Sequence, residues 1–395
     1  MCYLKRYGTY DLVGKDSIVF QYVINNIINV CDLYNYKYIK TPIFESTQIF
    51  FDMIGKNTDV ISKELYNFYD KNNDNISLRP EGTTGVVRSY LENKLYLNNT
   101  VNKFYYYGSM FRHENVEVGR YREFQQFGVE VFNDNNPYID VEIIILAVNI
   151  FNKLGLKDVK VFINNLGSIE NKLAYEKALR RYFKPHLDTL CDDCKKRFKE
   201  NPIRILDCKI DKRTDIVLNS PKIDDFIDKE SKNRFNKIVE KLNDLGINFE
   251  VNKKLVRGLN YYTDTVFEIK TNIDGLGSRN TICGGGRYNS SVKNDSGKYI
   301  PAIGFAIGIE RLINVLENNN LLLNLDNYLD YNLKFDDISL LNILRNNGFK
   351  SDYNSLDNSK FIIEKEDDKY ILINTNSSIK EIYSYDELIK KIVGK

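Results

Sequence analysis

Two aromatic runs that flank a polar loop lie within residues 103–132, KFYYYGSMFRHENVEVGRYREFQQFGVEVF. Their aromatic content predicts strands over 103–113 and 121–132. The connecting loop over 114–120 is short and polar, so we expect the two strands to lie next to each other and antiparallel.

The second strand has two faces of different character. Alternation along the strand places Gln126, Gly128 and Glu130 on one face, whereas Phe127 and Val129 lie on the opposite face, which suits burial. We interpret the first face as a pocket floor, on which Gly128 leaves room and the two polar side chains hold a ligand. An ordinary half-exposed strand is the alternative interpretation.

Arginines stand at both ends of the loop and near a later glycine-rich segment. Arg112 and Arg120 flank the hairpin and could hold a polyphosphate through bidentate contacts, although solvated hairpin charges are an equally simple explanation. Arg311 follows small residues at 304–308, which allow a strand and a helix to pack closely. No Walker A loop and no dinucleotide-binding glycine fingerprint occurs in the sequence.

Composition excludes several classes of protein. The 395 residues are 43% hydrophobic, which rules out a disordered chain, and the formal net charge of +2 gives no overall basic field for nucleic acid. The longest apolar runs are far shorter than a membrane span, so we expect no membrane insertion. Six cysteines are too few for a disulfide scaffold, so we expect reduced thiols and a cytoplasmic location.

Periodicity and breaker residues predict the rest of the chain. Residues 168–248 are mostly helical and highly charged, and residues 330–395 are expected to form a small α/β unit. The other predicted elements are helices over 16–38, 81–91 and 137–154, strands over 76–80, 262–270 and 278–288, and a strand-to-helix passage over 300–316.

The order of several separated motifs resembles the class II aminoacyl-tRNA synthetases, and their local sequences are similar to histidyl-tRNA synthetases. The class II motifs are matched by residues 41–45, by residues 111–114 with Arg120 and Phe124, and by residues 304–311. Stretches typical of the histidine enzymes are found at 78–83, 257–262 and 283–288. The resemblance covers residues 5–317 and implies an α+β fold, in which an antiparallel sheet is flanked by helices and followed by a small C-terminal α/β domain.

The resemblance also implies a domain plan. We expect a catalytic core over 1–167 and 249–318, a helical insertion over 168–248, and a reduced anticodon-binding-like domain over 330–395. The last segment is shorter than is usual in the family. It carries ten Lys and Arg residues against twelve Asp and Glu residues, which does not favour phosphate contacts.

For ATP, the resemblance implies that arginines surround the bent triphosphate. Arg112 and Arg257 would stabilise the reacting α-phosphate and are the expected catalytic residues, with Arg120 and Arg311 on the outer phosphates. Glu114 would meet the adenine amino group, Phe124 would stack on the ring, and Mg²⁺ would bridge the outer phosphates.

For histidine, the resemblance implies a separate set of contacts. Glu81 would pair with the α-ammonium group, with Thr83 beside it. The imidazole and its surroundings would be contacted by Gln126, Glu130, Arg257, Tyr261 and Tyr262.

The implied activity is ATP-dependent formation of histidyl-adenylate and transfer of histidine to tRNA(His) by a homodimer. Two alternatives remain open at this stage. One is a non-catalytic paralogue that serves as the regulatory subunit of ATP phosphoribosyltransferase, suggested by the short acidic C-terminal segment. The other is a ligase with an acceptor other than tRNA, suggested by Glu117 in the loop of 114–120, where the family often has other residues.

Three cysteines and a histidine in the insertion have spacing compatible with zinc. Cys191, Cys194, Cys208 and His186 could form such a site, but we favour buried structural thiols and predict no metal ligands.

Overall fold

The computed structural model of this protein describes residues 4–55, 58–98, 100–256, 259–271, 280–322 and 329–394. Within them, the strands are β1 (Lys37–Tyr38), β2 (Phe44–Ser46), β3 (Asn67–Tyr69), β4 (Asn75–Leu78), β5 (Asn102–Phe111), β6 (Glu123–Phe132), β7 (Val159–Asn165), β8 (Phe249–Val251), β9 (Thr263–Thr271), β10 (Thr281–Arg287), β11 (Ala302–Gly308), β12 (Leu329–Leu333), β13 (Ser351–Tyr353), β14 (Ser359–Glu366), β15 (Lys369–Asn374) and β16 (Lys380–Tyr383).

The helices of the same residues alternate with these strands. They are α1 (Lys15–Leu33), α2 (Thr47–Phe50), α3 (Asp59–Ser62), α4 (Thr83–Glu92), α5 (Pro137–Lys153), α6 (Ile169–Phe183), α7 (Asp192–Glu200), α8 (Asp215–Leu218), α9 (Lys229–Asp244), α10 (Ile309–Asn318), α11 (Ile338–Asn346) and α12 (Tyr385–Val393). None of them combines the length and the apolar composition that crossing a membrane requires.

The central sheet has the described strand order β1-β5-β6-β11-β10-β9-β7-β8. Its pairs from β5 to β7 are antiparallel, while β1 and β8 join the two edges in parallel. The predicted pair at 103–113 and 121–132 is confirmed as β5 and β6, so the expected α+β class with a mainly antiparallel sheet is correct. A smaller antiparallel sheet, β2-β4-β3, lies between β1 and β5 in the chain.

The first predicted helix ends earlier than its apolar pattern indicated. We expected a helix over 16–38, but α1 ends at Leu33. Asn35 has a φ of +61°, a left-handed conformation that Asn tolerates and that an α-helix cannot contain. The chain then turns directly into β1. Apolar residues at the end of the predicted helix, such as Tyr36, are therefore buried without being part of a helix.

The segment between β7 and β8 is built from α6 to α9 and short 3₁₀ turns, as its charged helical pattern predicted. Ser168 and Asn171 form a capping box that starts α6, and Asn201 caps the turn at Pro202–Asp207. The chain divides into two compact units, residues 1–11 with 22–321, and residues 12–21 with 322–395. The boundaries predicted for a separate insertion domain therefore stay a prediction.

The second unit carries the described sheet β13-β12-β14-β15-β16 with helices α11 and α12. Leu333, Leu340, Leu344, Ile363 and Leu388 form the centre of its own apolar core. The predicted α/β character of residues 330–395 is confirmed.

A buried ion pair connects the central sheet to helix α5. The Arg287 side chain on β10 is fully buried, and its Nη2 lies 2.6 Å from Oδ2 of Asp140 in the first turn of α5. Arg234 of α9 binds the same carboxylate, and Arg287 Nη1 donates to the carbonyl of Asp134 at 2.9 Å. The packing of β10, α5 and α9 against one another therefore depends on one carboxylate and two guanidinium groups.

We predict that Arg287→Leu lowers the free energy of unfolding by about 3–5 kcal/mol, because it removes one partner of a fully buried pair. The measurement is urea unfolding followed by circular dichroism. Lys160→Leu is the matched control, since the Lys160–Glu250 pair of the same sheet is exposed and is expected to contribute less than about 1 kcal/mol. Equal losses in both variants would contradict this prediction.

Candidate active site

The pocket floor depends on small residues of β11 that lie opposite polar residues of β6. Gly304 pairs with Glu130, and Gly308 pairs with Gln126. A Cβ atom at position 304 would overlap the Glu130 carboxylate, so only glycine leaves the space that this side chain occupies. The small residues at 304–308 therefore shape the floor of a pocket, besides allowing the close strand-to-helix packing that the sequence suggested.

Glu130 is the centre of a buried hydrogen-bond network. Only 1% of the residue is exposed, Thr83 Oγ1 lies 2.7 Å from its Oε1, and Tyr288 Oη lies 2.6 Å from its Oε2. Burial raises the pKa of Glu130 to about 8, although the hydrogen bonds from Tyr288 and Thr83 oppose that shift and the nearby Glu81 charge adds to it. This carboxyl group can therefore hold a proton at neutral pH.

Gly128 has a different role from the one we predicted. We expected it to leave room for a ligand, but a Cβ atom there would overlap the Tyr106 ring on the neighbouring strand β5. The space above Gly128 is thus filled by an aromatic side chain of the protein. Gln126 lies beside this ring and accepts a hydrogen bond from the backbone N–H of Gly82 at 3.0 Å, with the Tyr106 hydroxyl 3.4 Å away.

Glu81 is held in place by the first turn of α4. Its Oε2 accepts from the backbone N–H of Thr83 at 2.8 Å, and its Oε1 accepts from that of Thr84 at 2.9 Å. These donors are helix N–H groups that have no partner inside the helix, so the carboxylate and the helix start stabilise each other. Glu81 is buried and lies in the same pocket wall as Thr83 and Glu130.

Tyr261 and Tyr262 close the opposite wall. Their ring centroids are 4.6 Å apart, and Tyr261 also contacts the ring of Tyr288 at 5.6 Å. A buried lysine of the insertion, Lys172, donates to the backbone carbonyls of Asn260 at 2.6 Å and of Tyr262 at 3.1 Å. Lys172 therefore fixes the segment that presents both tyrosines.

These walls line a pocket that is partly open to solvent, with a free volume of about 550 Å³, which we call the slot. All six described residues that the resemblance assigned to histidine line it, namely Glu81, Thr83, Gln126, Glu130, Tyr261 and Tyr262. The seventh, Arg257, lies outside the described residues. Tyr288 also lines the slot. The sequence did not reveal its hydrogen bond to Glu130, although Tyr288 is the last residue of the stretch 283–288 that is typical of the histidine enzymes.

A second hollow of about 710 Å³, which we call the cleft, adjoins the slot. It is lined by all five residues predicted to contact ATP, namely Arg112, Glu114, Arg120, Phe124 and Arg311. The cleft and the slot share wall residues, which are Arg112, Gln126, Gly284, Ala306 and Gly308. The two hollows thus meet at Arg112.

The Arg112 guanidinium is fixed on two sides. Its Nε donates to the carbonyl of Pro80 at 2.8 Å, and its Cζ lies 5.4 Å from the centroid of the Phe124 ring. These contacts hold the group at the junction, and no ion pair of Arg112 occurs among the described residues; its charge acts at longer range on Glu64, where it opposes the rise in pKa that burial causes. A fixed cation is therefore present where the two hollows meet.

Arg120 is held by carboxylates of its own loop. Its Nη1 lies 2.9 Å from Glu114 Oε2, and its Nε lies 3.4 Å from Glu117 Oε1. The unusual acidic residue Glu117 is therefore neutralised by an arginine. A phosphate that binds Arg120 would compete with both carboxylates.

Arg311 and Glu310 lie side by side at the start of α10. Arg311 Nη1 donates to the carbonyl of Thr281 at 3.1 Å. Glu310 accepts from the backbone N–H of Gln125 at 2.6 Å and from the Tyr10 hydroxyl, which joins the N-terminal segment to the end of the cleft. Burial raises the pKa of Glu310, and these two hydrogen bonds oppose that shift. No sequence pattern indicated the Tyr10 contact, because the two residues are far apart in the chain.

The cleft offers no protein cage for a metal ion. Among the described residues, the group of three or more side chains able to share an ion lies in the insertion and not here. Two carboxylates, Glu114 and Glu310, line the cleft and both are already engaged in hydrogen bonds or ion pairs. This donor set fits Mg²⁺ that arrives on a nucleotide and keeps its phosphate and water ligands, but not a resident protein-bound ion.

Comparisons with known proteins agree with the geometry. The family model described as histidyl-tRNA synthetase matches residues 8–312. A histidine--tRNA ligase of Bacillus licheniformis is 45% identical over 82% of this chain and 76% of its own length, and one of a Geobacillus strain is 40% identical over 98% and 92%, respectively.

Solved structures give the same result. The crystal structure of apo histidyl-tRNA synthetase of S. aureus has a TM-score of 0.82 and 35% identity, with all of both chains covered. A structure titled as an ATP phosphoribosyltransferase regulatory subunit/histidyl-tRNA synthetase from Bacillus halodurans C has a TM-score of 0.64, covers 92% of this chain and 98% of its own, and is 21% identical, so it supports the fold alone. With the family model over most of the chain and relatives at 40% identity or more, this chain belongs to the histidyl-tRNA synthetase family.

Proposed function

We propose that this chain is a histidine–tRNA ligase that first activates L-histidine with ATP and then transfers it to tRNA(His). In the first step, a bond forms between the histidine carboxylate and the α-phosphorus, and the bond to the β-phosphate oxygen breaks as pyrophosphate leaves. In the second step, a terminal hydroxyl of tRNA attacks the histidyl carbonyl and AMP leaves. The observation that carries the proposal is the cleft and the slot meeting at Arg112.

The position of Arg112 suits the first step. Negative charge builds on the equatorial oxygens of the α-phosphate as the carboxylate attacks, so a fixed cation at this point stabilises the transition state more than the ground state. Two of its contacts, to Pro80 and to the Phe124 ring, orient the guanidinium before the substrates bind. We assign the same task to Arg257, which lies outside the described residues.

The rest of the cleft suits the nucleotide. Phe124 would stack on the adenine and Glu114 would accept from its amino group, while Arg120 and Arg311 would bind the outer phosphates. Arg120 would then exchange its carboxylate partners for phosphate oxygens. Mg²⁺ would accompany these phosphates and neutralise part of their charge.

The slot suits histidine, because two buried carboxyl groups, Glu81 and Glu130, lie in one of its walls. Glu81 would receive the α-ammonium group beside Thr83, and Glu130 with Gln126 would bind the imidazole. Because these polar groups are buried, a substrate that leaves them unpaired would lose much of its binding energy. The slot would therefore reject amino acids of similar size without ring nitrogens.

The relatives named above do not favour the two alternative functions. The structure whose title names a regulatory subunit is 21% identical to this chain, so it supports the fold and no function. Histidine--tRNA ligases match at 40–46% identity. Glu117, which motivated the ligase with another acceptor, forms an ion pair with Arg120.

We also propose that the active form is a homodimer. The small sheet β2-β4-β3 starts within the residues that match class II motif 1, and one of its faces exposes large apolar side chains, with Phe44 58% exposed and Phe68 45% exposed. Phe44 and Phe68 pair with Leu78 and Ile76 of β4, respectively, so both lie on the same face of the sheet. A second copy of the chain would cover this apolar surface.

The first test is histidine-dependent exchange of pyrophosphate into ATP, followed by charging of tRNA(His). We expect Arg112→Gln to lower the exchange rate by about 10²–10³-fold, which is the loss typical of removing one hydrogen-bond donor that stabilises negative charge in the transition state. Arg122→Gln is the matched control, because Arg122 stacks on Tyr7 at the same hairpin but does not line the cleft or the slot.

Background exchange in the unchanged protein would refute the proposed activation step. Robust exchange without charging of tRNA would refute the proposed acceptor. Near-normal exchange in Arg112→Gln would refute the role of this residue.

A second test concerns Glu130 and pH. With a pKa of about 8, Glu130 of the free protein carries a proton between about pH 6.5 and 8, whereas the imidazole of free histidine is neutral in this range. In the complex, the carboxyl group and the imidazole share this one proton. We therefore expect histidine affinity to be flat over this range and to fall above pH 8, as the free carboxyl loses its proton.

Isothermal titration calorimetry from pH 6.5 to 9 measures this profile. Glu130→Gln should bind histidine about 10- to 100-fold more weakly at pH 7.5 and lose the decline above pH 8. Glu123→Gln, at the other end of β6, is the control. A variant Glu130→Gln that keeps the pH profile of the unchanged protein would contradict the assignment.

A third test concerns assembly. In size-exclusion chromatography with light scattering, we expect the unchanged protein to have twice the mass of one chain. Phe44→Asp should shift the measured mass towards that of the monomer, because the substitution places a charge in the apolar surface that the second copy covers. Leu356→Asp changes a fully exposed leucine outside this surface and should leave the mass unchanged. A monomeric unchanged chain would rule out the proposed dimer.

A further inference from the structure

Four potential metal ligands converge in the helical segment between β7 and β8. They are the thiols of Cys191, Cys194 and Cys208 and the carboxylate of Asp211, whose ligand atoms all lie within 4.8 Å of one another. Cys191 and Cys194 stand at the start of α7, and Cys208 follows the 3₁₀ turn at Pro202–Asp207. The cluster thus joins two separate stretches, 191–194 and 208–211, of the segment between β7 and β8.

The spacing of these atoms fits a tetrahedral ion. Cys191 Sγ lies 3.6 Å from Cys208 Sγ, and Cys208 Sγ lies 3.9 Å from Asp211 Oδ2. Two sulfur ligands of a tetrahedral Zn²⁺ site lie about 3.8 Å apart when each Zn–S bond is about 2.3 Å. Backbone donors already point at the ligand atoms, with the N–H of Asp211 3.4 Å from Cys208 Sγ and that of Cys191 3.0 Å from Asp211 Oδ2.

Burial and charge support a cation at this place. Asp211 is 4% exposed, Cys194 and Cys208 are buried, and Cys191 is half-buried. No Lys, Arg or His nitrogen forms an ion pair with Asp211 within the described ranges. The partners of this carboxylate are the backbone N–H of Cys191 and neighbouring thiols, and a cation shared with the sulfur atoms would pair its buried charge directly.

We propose that Cys191, Cys194, Cys208 and Asp211 bind one Zn²⁺ ion as a closed structural site. Binding releases the three S–H protons, and the four anionic donors fill the tetrahedral positions, so no position is left for water or substrate. The soft thiolates favour Zn²⁺ over Mg²⁺ or Ca²⁺. This site is separate from the cleft and the slot, and it does not depend on the function proposed for them.

The sequence suggested a different fourth ligand. His186 was the candidate by spacing, but the group that the structure assembles contains Asp211 in its place. His186 instead packs against Tyr182, with ring centroids 5.6 Å apart. Asp211 was missed because a carboxylate three residues after Cys208 resembles an ordinary surface residue in sequence.

The experiment measures metal in the full chain, purified under reducing conditions from zinc-supplemented medium. Mass spectrometry of the metal should find about one zinc per chain. Exchange for Co²⁺ should give the visible absorption of a tetrahedral ion and the near-ultraviolet charge transfer of thiolate ligands. These two measurements need no variant and no enzymatic activity.

Variants then identify the ligands. Cys194→Ala and Asp211→Ala should reduce bound zinc to below about a tenth of that in the unchanged chain. Asp211→Cys should retain zinc and strengthen the charge-transfer absorption of the cobalt form. Cys31→Ala is the matched control, because Cys31 is an equally buried thiol outside the cluster, and it should retain zinc, as should His186→Ala.

Three results would overturn the proposal. The first is an unchanged chain that takes up neither zinc nor cobalt when either ion is in excess. The second is a disulfide between Cys191 and Cys208 in the reduced preparation, found by mass spectrometry of peptides. The third is full zinc content in Cys194→Ala, or zinc loss in His186→Ala without loss in Asp211→Ala, which would assign the ion to other ligands.

Discussion

The register between β6 and β11 is the constraint on which the rest of the site depends. It places Gly304 directly opposite Glu130, so a carboxylate can lie inside the sheet layer where a larger residue would overlap it. The hydrogen bonds from Thr83 and Tyr288 can form only because Glu130 occupies this space. A shift of the pairing by one residue would place every side chain of β6 on the other face and remove the slot.

Local sequence patterns predicted the site residues that lie on one strand, but few of the contacts that residues of other elements make with them. Period-two alternation correctly placed Gln126 and Glu130 on one face, because that geometry is a property of the strand itself. The role of Gly128 was wrong, since the ring that fills its space belongs to Tyr106 on the next strand. Lys172 was not found because its contacts to the backbone of residues 260 and 262 depend on the folded path of the insertion.

The two hollows place opposite charges on opposite sides of Arg112. The cleft gathers guanidinium groups, which suits phosphates, and the slot gathers buried carboxyl groups, which suits a cationic amino group and imidazole. Motif resemblance predicted both sets of residues, but only folded geometry places them in adjoining hollows. The junction at Arg112 is therefore the point where an amino acid carboxylate and a phosphate would come together with a fixed cation beside them.

The insertion supports the slot through direct contacts, which makes its own stability part of the active site. Asn201, at the end of α7, donates to the side chain of Asn260 at 2.7 Å, and Lys172 of α6 holds the carbonyls next to the two slot tyrosines. The cysteine cluster lies at the other end of α7, so an ion there would fix the helix whose far end carries Asn201. Because α7 has only nine residues and a mostly charged sequence, its own propensity and packing stabilise it weakly, and a metal site would supply the missing rigidity.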